Sequence, residues 1–256
     1  MPSPRYWTAR VSAHKIADMS EQRRQSHPQF YLTPEHPCSY LPERQARTLF
    51  LDPAQTVGPA LYSQLSRLGF RRSGSHLYRP HCDSCQACIA TRIPVGNFKA
   101  SRRQRRIRRR NADLAITQEA PQVSDEYYDL YARYIQARHA DGDMYPPSRD
   151  QYRSFLTGSW SDTSFVSLRQ DQRLLAVAVT DQLADGLSAI YTFFDPDIPA
   201  RSLGVYALLI QIDLCRELDL PYLYLGYWVK DCQKMRYKTD YRPLQMLVND
   251  TWVQIN

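Results

Sequence analysis

Three cysteines recur at every third position in Arg79-Pro80-His81-Cys82-Asp83-Ser84-Cys85-Gln86-Ala87-Cys88. Thiolates this close in sequence can face one soft metal ion or cluster, because such metals prefer sulfur ligands. A ferredoxin run would place a fourth cysteine where this chain has Arg92, and a zinc ribbon would show a second pair. Cys38, in Pro37-Cys38-Ser39-Tyr40-Leu41, is the candidate fourth ligand. Cys38, Cys82, Cys85 and Cys88 are therefore the candidate metal set, for an iron–sulfur cluster or zinc. The alternative is that they are small buried thiols in tight turns. Cys215 reads as core of a long helix, and Cys232 fits either role.

A second chemical signal is charge. Lys99-Ala-Ser-Arg-Arg-Gln-Arg-Arg-Ile-Arg-Arg-Arg110 holds eight basic residues in twelve positions and no acid. On a helix Arg102, Arg105, Arg106 and Arg109 share one face and Arg103 and Arg110 another, so the field nearly surrounds the axis. A solvated face would intersperse acids to relieve self-repulsion, so contact with a phosphate backbone is the better reading. Over the whole chain the formal charge is +7. Residues 1–120 carry 20 basic and 8 acidic side chains, a net +12, and residues 121–256 carry 13 and 18, a net −5. Of the 33 basic residues 28 are arginine, which favours planar, bidentate contacts to phosphate. Nucleic acid is the first partner this implies.

Two further segments could act on a carbonyl or a nucleotide end. In Tyr191-Thr-Phe-Phe-Asp195-Pro196 followed by Arg201-Ser202-Leu203-Gly204, a strand, a turn and a helix start place free N–H groups where they can hold a phosphate or a carbonyl oxygen. In Gly226-Tyr227-Trp228-Val229-Lys230 through Lys234 to Lys238, three of the chain's five lysines recur every four residues beside Tyr227, Trp228 and Tyr237. Cations interleaved with aromatics on a helical face suit stacking and phosphate contact.

The elements that would position these groups can be read from periodicity. Residues 28–59 carry many prolines and predict short extended segments and turns. Leu61, Leu65 and Leu68 predict a helix that Pro59 opens and Gly69 stops. Strands are predicted over 76–79, 89–95 and 114–117, around a basic helix over 101–111. A second module starts near Ser124, an N-cap before Asp125 and Glu126. It predicts helices over 124–135 and 148–156, and three antiparallel strands over 164–168, 174–180 and 187–194, the last two joined across Asp185-Gly186. A helix over 202–218, a strand over 222–225, a helix over 231–237 and strands over 246–248 and 252–255 complete it. The fold class is α+β, with domains at 1–120 and 121–256, and the second is compatible with the acyltransferase fold called GNAT.

With 256 residues, 43% hydrophobic, the chain can bury a sizeable core, which excludes global disorder. Its apolar stretches, such as Leu174 to Val179, fall far short of the roughly 20 residues of a membrane helix. The start, Met1-Pro2-Ser3-Pro4-Arg5-Tyr6-Trp7, has no apolar h-region, so a soluble, cytoplasmic protein with reduced thiols is expected.

Taken together, Pro37 to Leu41, Tyr78-Arg79-Pro80 before the cysteines, Arg92-Ile93-Pro94-Val95 leading to Ser101 to Arg106, Tyr191 to Pro196 with Ser202-Leu203-Gly204, and Gly226-Tyr227-Trp228 through Lys234-Met-Arg-Tyr-Lys238 to Tyr241-Arg-Pro-Leu244 resemble the arginyl-tRNA protein transferase family. The short length resembles its bacterial branch, the aspartate/glutamate leucyltransferases. The resemblance implies an N-terminal domain joined to a GNAT-like domain with a mixed central sheet. It also implies transfer of an aminoacyl group, leucine from leucyl-tRNA in this branch, to proteins that begin with Asp or Glu, marking them for N-degron proteolysis. No cofactor is required for that reaction. Eukaryotic members have a cysteine pair where this chain has Cys38 alone, so the ligand set does not carry over directly.

For such a transfer the expected roles are as follows. Lys99, Arg102, Arg103, Arg105, Arg106 and Arg109 hold the tRNA acceptor stem, and Lys234 and Lys238 its end. Ser202 and Gly204 polarise the ester carbonyl near Tyr191, and Asp195 or Tyr227 relays a proton. Arg79, His81 and Arg92 clamp the acidic side chain of the acceptor. The alternatives are arginyl transfer by the same reaction, an acyl-CoA enzyme, disfavoured because Arg201 to Tyr206 has one glycine, and a non-catalytic RNA-binding module with a metal site.

Overall fold

The computed structural model describes residues 28–158 and 160–256. Met1 to Trp7, read above for a secretory signal, lies outside the described residues.

The proline-rich start forms short strands: β1 (Phe30–Leu32), β2 (His36–Pro37), β3 (Gln45–Ala46) and β4 (Thr48–Leu51). Helix α1 (Pro59–Arg67) follows, with Pro59 in its first turn. It stops before Gly69, which has φ +86 and whose missing Cβ would lie 2.9 Å from Leu247 Cδ2. With β5 (Arg71–Ser73) and β6 (His76–Pro80), β1 and β4 make a four-stranded sheet in the order β1-β4-β6-β5, and β2 and β3 form a separate ribbon.

The remaining elements are β7 (Ile89–Pro94), α2 (Arg102–Arg110), β8 (Ala115–Glu119), α3 (Asp125–Arg138), α4 (Arg149–Leu156), β9 (Thr163–Gln170), β10 (Arg173–Leu183), β11 (Gly186–Phe194), α5 (Leu203–Glu217), β12 (Tyr222–Trp228), a 3-10 helix over Gln233–Asp240, β13 (Leu244–Val248) and β14 (Thr251–Ile255). Eight strands form one mixed sheet, β14-β13-β7-β12-β11-β10-β9-β8, in which only β11 and β12 pair in parallel, with α5 as their crossover. The α+β class follows from this sheet. It draws β7 and β8 from the first 120 residues, and β7 sits inside it between β12 and β13.

Alternation along the strands sends side chains to two faces. Leu223 and Leu225 pack with Leu208, Leu209 and Ile212 of α5, while Tyr224 packs with Tyr62 and Leu65 of α1. Val177 and Val179 pack with Tyr131 and Ile135 of α3 and Leu156 of α4, while Ala178 meets Ala207 of α5. Helix α2 joins the α5 side by burying Ile107 beside Leu203 and Tyr206. The sheet thus presents the carboxyl ends of β11 and β12 between α3 and α5.

Candidate active site

Strands β11 and β12 pair only at Gly186–Tyr222, Leu187–Leu223 and Ser188–Tyr224. Beyond those residues each continues, to Phe194 and to Trp228, without a partner in the other, so the sheet opens as a wedge. Gly226 lies where pairing stops, at a register shift between β12 and β7, and has φ +77. That conformation is open to glycine at no steric cost.

A guanidinium fills the narrow end of the wedge. Arg71 donates from Nη1 to Ser188 Oγ at 2.8 Å and from Nη2 to the Ala189 carbonyl, the first unpaired one of β11, at 2.6 Å. A Cβ on residue 226 would stand 3.0 Å from Arg71 Nε, so glycine there also makes room for this side chain. Lys238 is buried at 6% exposure and its ammonium donates to the Tyr227 carbonyl. Burial and the positive charge of Arg71 push its pKa down to about 7.

Aromatic rings line the β11 side. Tyr191 packs against Tyr134 at 6.2 Å, Phe155 at 5.4 Å and His139 at 6.5 Å between ring centres. Its hydroxyl is buried without a hydrogen-bond partner among the described residues, and burial holds its pKa far above the usual range. Lys234 bridges to both carboxylate oxygens of Asp141 at 2.9 Å, and burial together with Lys234 lowers the His139 pKa.

Ser202 precedes α5 in the left-handed region, φ 53 and ψ 47, and its hydroxyl makes no capping bond. Its carbonyl accepts the Val205 and Tyr206 N–H groups. The N–H groups of Leu203 and Gly204, in the first turn, have no intrahelical partner and aim out of the helix end. Gly204 is needed for packing, since a Cβ would stand 2.9 Å from Phe194 Cε1.

Several expected roles need correction. Asp195 has no exposed side-chain surface; burial alone would raise its pKa, but the Asp197 N–H, Arg133 and Arg173 outweigh it and hold the carboxyl below its usual range. It is a locked counter-ion and no proton relay. Tyr227 is buried, donates to the Gly69 carbonyl at 2.8 Å and has a pKa that burial pushes well up, so it does not relay protons either. Arg92 is 7% exposed. Its guanidinium lies 3.6 Å from the Tyr222 ring centre and 4.2 Å from that of Trp252, and bonds Gln245 and Tyr224, so it holds strands together and clamps no substrate. Residues 233–240 form a 3-10 helix, whose three residues per turn split the lysines expected on one face: Lys234 is exposed and Lys238 is interior.

The basic helix has the surface expected of it. Lys99, Arg102, Arg103, Arg105, Arg106 and Arg109 are exposed, while Gln104 and Ile107 anchor the opposite face and Ser101 with Gln104 forms a capping box. Arg108 is different: it is held by Asp213 of α5. A cavity of about 230 Å³ lies between the start of α2, Val205 of α5 and Tyr237.

The cysteines line a second, larger cavity of about 830 Å³, together with Arg44, Arg79 and His81. Burial pushes the Cys88 thiol up to about 12, and Cys38, Cys82, Cys85 and Cys232 are near enough to add to the shift. N–H groups of Leu41, Arg47 and Arg44 point at Cys38, Cys82 and Cys85 at 3.4–3.5 Å. Among the described residues no group of three or more His, Cys, Asp or Glu side chains is arranged to hold a metal ion. Tyr78 and Tyr227 both line this cavity, their rings 6.1 Å apart, and Tyr78 pairs with Arg71 across β5 and β6.

The chain matches the C terminus of arginine-tRNA-protein transferase over residues 126–248 and its N terminus over residues 36–106. It is 60% identical over 223 residues to the aspartate/glutamate leucyltransferase of Alcanivorax borkumensis, covering 87% of this chain and 92% of that protein. It belongs to the arginine-tRNA-protein transferase family. The aspartate/glutamate leucyltransferase of Hahella chejuensis is 57% identical over 226 residues, covering 88% of this transferase and 97% of that one. A solved C-terminal domain of a putative lysylphosphatidylglycerol synthetase from Agrobacterium fabrum is similar at 17% identity and TM-score 0.43, over 67% of this chain and 52% of that one. The N-terminal match carries Cys38, Cys82, Cys85, Cys88 and Arg71, and the C-terminal match the wedge and Lys238; Arg71 of the first bonds Ser188 and Ala189 of the second. Arg71 escaped the sequence reading because a lone arginine beside Arg72 has no local signal; a part-buried charge left without an acid shows only in three dimensions.

Proposed function

We propose that this transferase moves leucine from leucyl-tRNA to the N-terminal Asp or Glu of a protein, the step that commits such a protein to N-degron proteolysis. The observation that carries the reading is 60% identity, over 92% of its length, with a protein named for that reaction. The donor is an aminoacyl-tRNA and the acceptor a protein; no helix among the described residues is long and apolar enough to cross a membrane.

The reaction joins the acceptor's α-nitrogen to the leucyl carbonyl carbon and breaks the ester bond to the tRNA's terminal ribose. The acceptor ammonium loses two protons in all, one to solvent as it becomes the free amine and one that leaves with the ribose oxygen. An α-amino group has a pKa near 7.7–8.0, so a sizeable neutral fraction exists at cellular pH and positioning supplies much of the rate. The exposed arginines of α2 suit the acceptor stem. The cavity between α2, Val205 and Tyr237 suits the tRNA's end, close to Lys234. The N–H groups that open α5, with Ser202, suit the oxyanion that forms on the ester carbonyl. The open sheet and its α5 crossover favour a GNAT-like domain for residues 121–256, completed by β7 from residues 1–120. Arg79 and His81, at the larger cavity, suit the acceptor chain. Cys38, Cys82, Cys85 and Cys88 line the larger cavity as free thiols, and no step of transfer runs through a metal held there.

The test is mass spectrometry of an Asp-initiated peptide and its N-acetylated counterpart after incubation with total charged tRNA. Gain of one leucine by the free peptide alone is expected; gain by both, or by neither, overturns the reading.

A further inference from the structure

We infer that Arg71 reads the acidic first side chain of the acceptor, taking that carboxylate as the counter-ion it lacks. The inference rests on the leucyl-transfer reading and names the residue that makes it specific for Asp and Glu.

Arg71 is part-buried and spends two of its five N–H groups on neutral oxygens, Ser188 Oγ and the Ala189 carbonyl. Among the described residues no carboxylate lies within 4.0 Å of it. Its neighbours resolve their charge differently. Arg72, next in sequence, is held at 2.6 and 2.9 Å by both oxygens of Asp181, and the charge of Arg92 sits between two rings. Lys238 is near enough for Arg71 to help lower its pKa; its ammonium donates to the Tyr227 carbonyl and lies 5.8 Å from the Tyr237 ring centre. Charges removed from water are ordinarily paired, so a part-buried guanidinium with free N–H groups and no acid marks the seat of an anionic ligand.

Location narrows the ligand. The guanidinium is fixed to β11 at the last paired residue, Ser188, and the first unpaired one, Ala189. An acceptor amine that attacks an ester held in this wedge carries its side-chain carboxylate one or two methylenes away on the same Cα. A cation inside the wedge can bind that carboxylate while the amine stays at the ester. Arg79 lies outside it: its guanidinium donates to the Leu68 carbonyl and stacks 5.3 Å from the Phe70 ring centre, facing the larger cavity. A planar fork with free N–H groups also fits a carboxylate in two-point contact. Asn or Gln in the first position would leave the charge unpaired, which a site built this way rejects.

The experiment compares kcat/KM for Asp-initiated and Asn-initiated peptides at saturating leucyl-tRNA, in the intact protein and in R71M, R71K and R79M. The expected result is a preference for Asp in the intact protein, a fall of about 10- to 100-fold on Asp alone in R71M, and an intermediate value in R71K. R79M should keep the preference. An unchanged KM for leucyl-tRNA shows that R71M is folded. The inference is overturned if R71M slows both peptides equally, if it raises the KM for leucyl-tRNA and keeps the Asp preference, as a phosphate contact would, or if R79M abolishes the preference. Should the intact protein transfer nothing, the functional reading fails, and fluorescence anisotropy of the labelled Asp peptide on the intact protein and R71M decides Arg71 separately: equal affinity overturns it, and about tenfold weaker binding to R71M supports it.

Discussion

Arg72 and Asp181 form a two-point ion pair with no exposed side-chain surface, at 2.6 and 2.9 Å, and it ties β5 of the small sheet to β10 of the large one. Tyr62 and Thr163 each donate to the same carboxylate at 2.7 Å, so all of its lone pairs on the protein side are used. Breaking such a pair strands a buried charge. R72M and D181N are each expected to lose about 3–5 kcal/mol of unfolding free energy. Urea unfolding checks this, and a loss below about 1 kcal/mol in either variant contradicts it. The pair holds the strand that carries Arg71, so its loss should also lower transfer.

The basic helix should act through binding alone. Replacing Arg102, Arg105, Arg106 and Arg109 by alanine leaves the anchors Gln104 and Ile107 and the Arg108–Asp213 pair in place. The slope of log affinity for tRNA against log salt should fall by about 0.7–0.9 for each phosphate that is no longer neutralised, with kcat at saturating tRNA retained. An unchanged slope would remove α2 from the tRNA surface.

Ser202 separates stability from chemistry. Its left-handed backbone, φ 53, costs a side-chain-bearing residue about 1–2 kcal/mol that glycine avoids, and its hydroxyl caps nothing. S202G should be at least as stable as the parent yet slower in transfer by about 100-fold or more, the order expected for one missing oxyanion donor. If S202A and K234A both transfer at the parental rate, the placement of the aminoacyl end is wrong.

Lys238 gives a pH signature. Its pKa is about 7 when folded, below the unfolded value near 10.4, so between those limits the unfolded chain binds more protons and stability rises with pH. Below pH 7 the cost of burying the charge is fully present. K238M escapes that cost, so its advantage in urea unfolding should be largest near pH 6. It should shrink toward pH 10 by up to about 1.4 kcal/mol per pH unit. A constant difference across that range contradicts the buried charge.

Much of the architecture was legible in local patterns. Pro59 and Gly69 mark the ends of α1, and Asp185-Gly186 marks the β10–β11 turn, because turn and cap chemistry depends on near neighbours. The exposed arginines of α2 were legible for the same reason. What sequence spacing misjudged depends on distant partners. Nothing near Asp195 announces Arg133 and Arg173, and nothing near Arg92 announces Tyr222 and Trp252. Lys234 and Lys238 follow helical spacing, yet packing against β12 tightens that segment to a 3-10 helix and turns Lys238 inward. The wedge itself exists only where two strands far apart in sequence stop pairing, at Ser188 and Tyr224, and the residues between them show a crossover but not where it opens.

The most direct test of leucyl transfer presents leucyl-tRNA and arginyl-tRNA separately, each as the sole donor, with an Asp-initiated peptide, and reads the product by mass. Addition of one leucine from leucyl-tRNA, with arginyl-tRNA inert, is the expected result; addition of arginine, or of nothing from either donor, would contradict it.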